Sequence, residues 1–212
     1  MIAAITQRTI AKEYGTVRDA LDQAYANYYG RFGIALVPIP NLSPDISVYF
    51  DLIQIEGIII SGGNDAKERE KTEVQLMQVA IRKKLPVFAQ CHGAQFINRY
   101  FGGPIGKNIG KKTSQSHAGT SHSISITDSK VRSYLKKKNT RVNSYHDHCI
   151  LEKNLSSKLR IFAQAPDGTI EGFYHPKLPI GCILWHPERK GSDAMIDKKL
   201  VHAFVKRRLF WK

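Results

Sequence analysis

The 212-residue chain is 42% hydrophobic and 24% charged, a balance that supports a packed core and argues against intrinsic disorder. Thirty-two Lys and Arg against 18 Asp and Glu leave a formal net charge of +14. The basic residues are scattered, with no zinc-finger spacing, RRM-type aromatic motif or long basic helix, so a solvated basic surface is expected; a preference for a small anionic substrate is the sharper alternative, and no nucleic-acid partner is expected.

IAAIT (2–6) predicts a first strand, and the spacing of Val17, Leu21, Ala24 and Tyr28 predicts a helix over 16–29. IALVPIP (34–40) predicts a proline-broken strand, DISVYFDLI (45–53) a short helix, and EGIIISGG (56–63) a strand ending in glycines. A helix is expected over 66–84, a strand in LPVFAQ (85–90) and a helix over 92–100. Strand–helix alternation with near-continuous apolar strands is the pattern of a parallel sheet covered on both faces. After Gly102, GGPIGKNIGKKTSQSHAGTSH predicts loop or weak hairpin. Short strands follow in HSISITD (122–128), VNSYHDHCI (142–150), LRIFAQAP (159–166), TIEGFYH (169–175) and IGCILWH (180–186), with a last helix over 193–209. The expected architecture is a single α/β domain over 1–212: a mostly parallel central sheet with helices on both faces and a β-rich second half returning to it.

No apolar run approaches bilayer length, and MIAAITQR lacks a basic segment leading into a long apolar core. Three widely spaced cysteines do not form a disulfide framework. A cytoplasmic protein with no membrane partner is expected.

In open α/β sheets, sites lie at the carboxyl ends of strands, and three such ends carry suggestive residues. In AQCHG, Cys91 sits between an apolar strand and a helix, with the small Ala89 and Gly93 around it. A helix N-terminus favours a thiolate there, although a buried structural cysteine fits the same stretch. In WHPE, His186 and Glu188 are two residues apart, so in extended chain their side chains share a face. Glu188 can then orient the imidazole while its other nitrogen faces Cys91. In SGGND, the amide of Gly63, with that of His92 after the cysteine, can serve as donors for a developing oxyanion.

Together these residues resemble the class I glutamine amidotransferase-like family. SGG (61–63) is similar to its oxyanion loop, CHGAQ (91–95) to its C-x-G-x-Q elbow and WHPE (185–188) to its His–Glu motif, with Ala89 where many members have glycine. The resemblance covers nearly the whole chain. It implies a flavodoxin-like fold, a Cys91–His186–Glu188 triad and hydrolysis of a γ-glutamyl amide through a thioester. VNSYHDH (142–148) and APDGTIEGF (165–173) look more like the free-standing γ-glutamyl hydrolases than like synthase glutaminase domains. The resemblance further implies that Gln95 contacts the γ-glutamyl group, that Asn143, Ser144, Tyr145 and His146 hold its α-amino and α-carboxylate groups, and that Glu171 lies near the triad.

Gln7 and Arg8, in ITQR after the first strand, are expected on the same sheet edge, with the Lys-rich loop 107–112 at the rim. A cationic rim suits a phosphate-bearing leaving group. In this the chain resembles the γ-glutamyl-CDP-amidate hydrolases of capsule phosphoramidate synthesis. The alternatives are a γ-glutamyl-amine hydrolase, a glutaminase subunit of a synthase, and a basic binding module without catalysis; an obligate partner protein is not implied. No cofactor is expected. No metal is expected either, because His146 and His148, two apart on a strand, have no third ligand at suitable spacing.

Overall fold

The computed structural model describes residues 1–13, 15–41, 44–105 and 117–206. Five strands form the parallel part of its main sheet: β1 (Ile2–Thr6), β4 (Ala35–Ile39), β5 (Gly57–Ile60), β6 (Val87–Gln90) and β11 (Ile180–Ile183). Four more extend it in antiparallel fashion: β7 (Ala118–Ile126), β8 (Asn139–Tyr145), β9 (Arg160–Gln164) and β10 (Ile170–Tyr174). The spatial order of the nine strands is β4–β1–β5–β6–β11–β10–β9–β7–β8. The expected β-rich second half thus returns to the same sheet. Pro38 is tolerated because β4 is the edge strand, where a missing amide donor breaks no ladder.

The four parallel strands inside the edge, β1, β5, β6 and β11, are buried on both faces, which explains their continuous apolar sequence. Ala3, Ile5, Ile59 and Phe88 point into a core shared with α1 (Gln23–Gly30), α5 (Ser129–Leu135) and α6 (Ala194–Val205). Ala4, Ile58, Ile60 and Ala89 point the other way, against α2 (Ser47–Leu52), α3 (Lys67–Lys83) and α4 (His92–Tyr100). At roughly 25 cal/mol per Å² of apolar surface removed from water, these two layers supply the main stabilising contribution.

Two elements depart from the sequence expectation. Residues 16–20 are not the start of a helix: Thr16–Ala20 is β3, paired antiparallel with β2 (Arg8–Glu13) in a separate two-stranded sheet. The helix begins only at Gln23, where the Asp22 carboxylate accepts from the Ala24 amide at 2.9 Å. Val17 is exposed, so the apolar spacing that suggested a longer helix includes a residue that packs on nothing. The second departure is α5, inserted between β7 and β8. Asp128 caps it by accepting from the Val131 amide at 2.9 Å, and Lys136 ends it in the left-handed region at φ 56°. The last helix closes at Val205 among the described residues, and the Lys-rich loop 107–112 lies outside them. No helix among the described residues is long and apolar enough to cross a membrane.

Candidate active site

Strands β5, β6 and β11 are consecutive neighbours, so their carboxyl ends bring SGG, Cys91 and WHPE together from positions 125 residues apart in sequence. Cys91 lies between β6 and α4 with φ 50° and ψ −110°, a conformation that costs a non-glycine residue of order 1–3 kcal/mol. Its amide donates to Ile183 O at 2.9 Å and its carbonyl accepts from Gln95 N at 3.1 Å, fixing the turn between strand and helix. Gly93 is required for that turn: a Cβ there would lie 2.2 Å from the Ile60 carbonyl oxygen. The cysteine is nearly inaccessible, at 7% exposure, and His186 is the neighbour that does most to lower its pKa.

His186 Nδ1 lies 2.6 Å from Glu188 Oε1, leaving the other ring nitrogen for Cys91. Burial disfavours charge on the imidazole, but its hydrogen bonds to Cys91 and Glu188 outweigh it and push its pKa up to about 9. Burial likewise opposes a thiolate at Cys91; the hydrogen bond to His186, with the charges of His186, His146 and His92, nonetheless holds the thiol below its ordinary range. Both shifts run in the direction of a thiolate beside an imidazolium, with the imidazole held by a carboxylate whose side chain is fully buried.

The glycine loop is shaped by its neighbours. The Gly62 amide donates to Tyr25 Oη at 2.8 Å, so among the loop's glycine amides it is Gly63 that is left to face a substrate. Gly62 itself packs on the imidazole: a Cβ there would lie 2.6 Å from His186 Cε1. Gly63 takes φ +149° over the guanidinium of Arg69. The His92 amide opens α4, where no carbonyl one turn earlier can accept from it.

Behind this loop lies a buried polar network that sequence reading missed. Arg69, fully buried, donates to Ser61 O at 2.6 Å, to Gly62 O at 3.2 Å and to Glu73 Oε1 at 2.7 Å. Glu73 Oε2 is 3.4 Å from His92 Nε2, and Asp65 Oδ1 is 3.3 Å from His92 Nδ1. Although burial works against it, these two carboxylates raise the His92 pKa. In sequence, Arg69 and Glu73 look like an ordinary i,i+4 pair on a solvated helix face, and nothing local marks them as buried.

The predicted substrate-binding residues divide. On β8, alternate side chains point to opposite sides. Asn143 braces the His186 loop: its Oδ1 accepts from His186 N at 2.9 Å, and its Nδ2 donates to His186 O at 2.8 Å and Lys190 O at 3.1 Å. Tyr145 stacks edge-on against His186 at 5.7 Å, with the Arg189 guanidinium 4.7 Å above its ring. Ser144 donates to His117 O at 2.6 Å, and His146 faces Glu171, both away from His186. Of this segment only Tyr145 presents an exposed side chain. Gln95, one turn into α4, donates to His148 O at 2.8 Å. Arg8 lines a cleft with Tyr25, Gly62, Gly63 and Arg189, as expected of the sheet edge. Gln7 does not: its side-chain amide donates to Ile39 O at 3.2 Å, because the chain turns away into β2 after Thr6.

The spacing argument against a metal set does not survive folding. His148 stays apart, but His117, His122, His146 and Glu171 gather together, from two strands, β7 and β10, and from the chain just before β7 and just after β8.

Comparison with known proteins identifies the family and the fold. The model of the family described as peptidase C26 matches residues 64–188, more than half of the chain and inclusive of the elbow and the His–Glu motif. A γ-glutamyl-CDP-amidate hydrolase of Campylobacter jejuni is 29% identical over 206 residues, covering 91% of this chain and 92% of that one. A γ-glutamyl-γ-aminobutyrate hydrolase of Escherichia coli is 24% identical over 226 residues, covering 90% of this chain and 87% of its own. A solved structure from Thermoplasma acidophilum, provisionally assigned as part of a GMP synthase, shares the fold with a TM-score of 0.69 at 19% identity, covering 98% of this chain and 96% of that one. The chain belongs to the peptidase C26 family, within the class I glutamine amidotransferase-like group.

Proposed function

We propose that the protein is a cysteine-dependent hydrolase that cleaves a γ-glutamyl amide or phosphoramide and releases L-glutamate, with γ-glutamyl-CDP-amidate of capsule phosphoramidate synthesis as its substrate. The observation that carries the hydrolytic reading is the line from Cys91 through His186 to Glu188, built on a strained elbow at the carboxyl end of the sheet. The Cys91 thiolate attacks the γ-carbonyl carbon, and the amides of Gly63 and His92 stabilise the oxyanion, each donor being worth roughly 10²–10³ in rate. The His186 imidazolium donates its proton to the departing nitrogen as the C–N bond breaks. A γ-glutamyl thioester remains. Neutral His186 then takes a proton from water, whose oxygen attacks the thioester carbon and expels the thiolate. Glu188 holds the ring and stabilises its cation in both half-reactions.

The choice of leaving group is supported by the cleft beside the glycine loop, which carries two guanidinium groups, and by the name of the Campylobacter relative. Arg189 is shared with Asp22 at 3.9 Å and Glu188 at 3.7 Å, so Arg8 is the cation to test. Glutamate release by the purified protein is to be measured with γ-glutamyl-CDP-amidate, γ-glutamyl-γ-aminobutyrate and a γ-glutamyl anilide. The nucleotide-linked substrate should give the highest kcat/KM, and Arg8→Ala should lower it at least ~10-fold more than the value for the anilide, as expected for one lost charge-assisted contact. Equal losses on both substrates would sink the assignment of the leaving group. Activity lost in Cys91→Ala on every substrate is required by the hydrolytic reading itself.

A further inference from the structure

Three histidines and one glutamate are buried together beneath β8 and take no step in the proposed hydrolysis, although His146 adds to the field that favours the Cys91 thiolate. His117, His122, His146 and Glu171 are exposed by 1%, 3%, 5% and 0%. Each offers one ligand atom, and the four atoms lie within 4.8 Å of one another. Glu171 Oε1 is 3.5 Å from His117 Nδ1 and 3.6 Å from both His122 Nε2 and His146 Nε2. These separations are too long for N–H···O hydrogen bonds, which settle at about 2.7–3.2 Å. Accordingly both Glu171 oxygens, His122 Nε2 and His146 Nε2 have no hydrogen-bond partner among the described residues. Leaving such groups buried and unsatisfied is costly, the more so where charge is involved.

The outward nitrogens explain what the inward ones need. His117 Nε2 lies 2.8 Å from Asp167 Oδ2, and that carboxylate is itself held by Thr169, whose amide and hydroxyl donate to Oδ1 at 3.0 and 2.7 Å. His122 Nδ1 lies 3.3 Å from Ser123 O. His146 Nδ1 lies 3.9 Å from Cys149 Sγ. A ring nitrogen against a carboxylate or carbonyl carries the proton, so the inward nitrogens of His117 and His122 turn lone pairs toward a carboxylate. Lone pairs facing a carboxylate repel unless a cation lies between them. Carboxylate–histidine pairs outside a ligand shell are the arrangement that orients metal-binding imidazoles. The three separations from Glu171 match the roughly 3.4 Å between ligands held about 2.1 Å from a tetrahedral ion, and the whole set stays within 4.8 Å.

The geometry points to a divalent transition-metal site of the zinc class, formed by His117 Nδ1, His122 Nε2, His146 Nε2 and a Glu171 carboxylate oxygen. Three imidazoles and one carboxylate suit zinc and disfavour the all-oxygen shells of magnesium and calcium. Four protein ligands close the shell and leave no position for substrate, so the ion has a structural role. It fastens the start of β7, the end of β8 and β10 to one point. Asn143 and Tyr145, on the opposite side of β8, hold and flank His186, and the Glu171 carbonyl accepts from Leu184 N at 2.8 Å, two residues before that histidine. The ion therefore steadies the strands that carry the base.

The test uses full-length protein without a polyhistidine tag, purified without chelator after growth with zinc. Elemental analysis should find about one zinc per chain. Removing it with a chelator should lower Tm, and adding zinc to the stripped protein should restore it. Cobalt(II) should give the visible absorption of a four-coordinate site without a thiolate charge-transfer band. Cys91→Ser should keep the metal in full, whereas Glu171→Gln and His122→Asn should each bind it at least ~10-fold more weakly. Wild-type protein that carries less than a tenth of an equivalent and shows no Tm response to added zinc overturns the proposal. So does metal lost in Cys91→Ser, or kept at full affinity in both ligand variants. The wild-type measurements need no substitution, so a ligand variant that fails to fold leaves the test intact.

Discussion

A methyl group at Gly62 probes how tightly the His186 ring must be held. Built on the observed backbone, it lies 2.6 Å from His186 Cε1 and 3.1 Å from Tyr25 Oη. Non-bonded carbons settle at about 3.5–4.0 Å, so the ring has to retreat by about 1 Å. It cannot retreat freely, because Glu188 holds Nδ1 at 2.6 Å and Asn143 holds the backbone amide at 2.9 Å. A misplacement of ~1 Å is enough to cost about 10²-fold in rate, equivalent to about 2.7 kcal/mol of transition-state stabilisation. Gly62 does not occupy the left-handed region, so alanine is permitted by the backbone and the fold should persist. The assay is kcat for glutamate release, paired with the pH dependence of Cys91 alkylation by iodoacetamide. Gly62→Ala should lose ~10²-fold in kcat, and the alkylation curve should move to higher pH as the imidazolium leaves the thiolate. Gly63→Ala is the control, since its methyl would strike Arg69 at 2.2 Å and its φ of +149° disfavours any side chain. That variant should lower Tm as well as kcat, whereas Gly62→Ala should keep its Tm. A Gly62→Ala protein within twofold of wild-type kcat, with an unchanged alkylation curve, would refute the placement of His186.

Two further outcomes follow from the same geometry. The kcat/KM profile should have its acid limb below the ordinary thiol range, where Cys91 gains its proton, and fall above about pH 9, where His186 loses the proton that the leaving nitrogen requires. Because Glu188 helps raise the His186 pKa, Glu188→Gln should move the alkaline limb to lower pH; an unmoved limb assigns it to another group. Asn143→Ala removes the acceptor of His186 N and donors to His186 O and Lys190 O, at about 1 kcal/mol net for each bond. Urea unfolding should show about 2–4 kcal/mol lost, with kcat reduced as the loop loosens; a loss under about 0.5 kcal/mol contradicts the bracing role.

Where chemistry is local, the residues announce it. An elbow needs small neighbours around one nucleophile, a base needs a carboxylate within reach, and an oxyanion needs amide donors, so Cys91, His186, Glu188 and Gly63 could each be picked out as candidates before the fold set their strand ends side by side. Parallel strands buried on both faces have to be continuously apolar, which made β1, β5, β6 and the helices after β5 and β6 equally plain. The misread segment, residues 16–20, is an exposed hairpin strand whose pairing partner, not its own periodicity, decides its conformation. The short α5 carried its Asp128 cap in sequence but sat among strand-like stretches that masked it.

What the amino-acid order determined by itself was a two-faced parallel sheet with a candidate nucleophilic cysteine at a strand end, because both depend on residue type and near-neighbour spacing. Tertiary structure alone decided which polar side chains are buried and what they face. Strand alternation turned Asn143 and Tyr145 to His186 but Ser144 and His146 to the other side, and sheet order set Arg69 beneath the glycine loop. The same order gathered His117, His122, His146 and Glu171 within 4.8 Å. Burial and long-range convergence arise from how strands are ordered in space, and no local window of sequence contains that order.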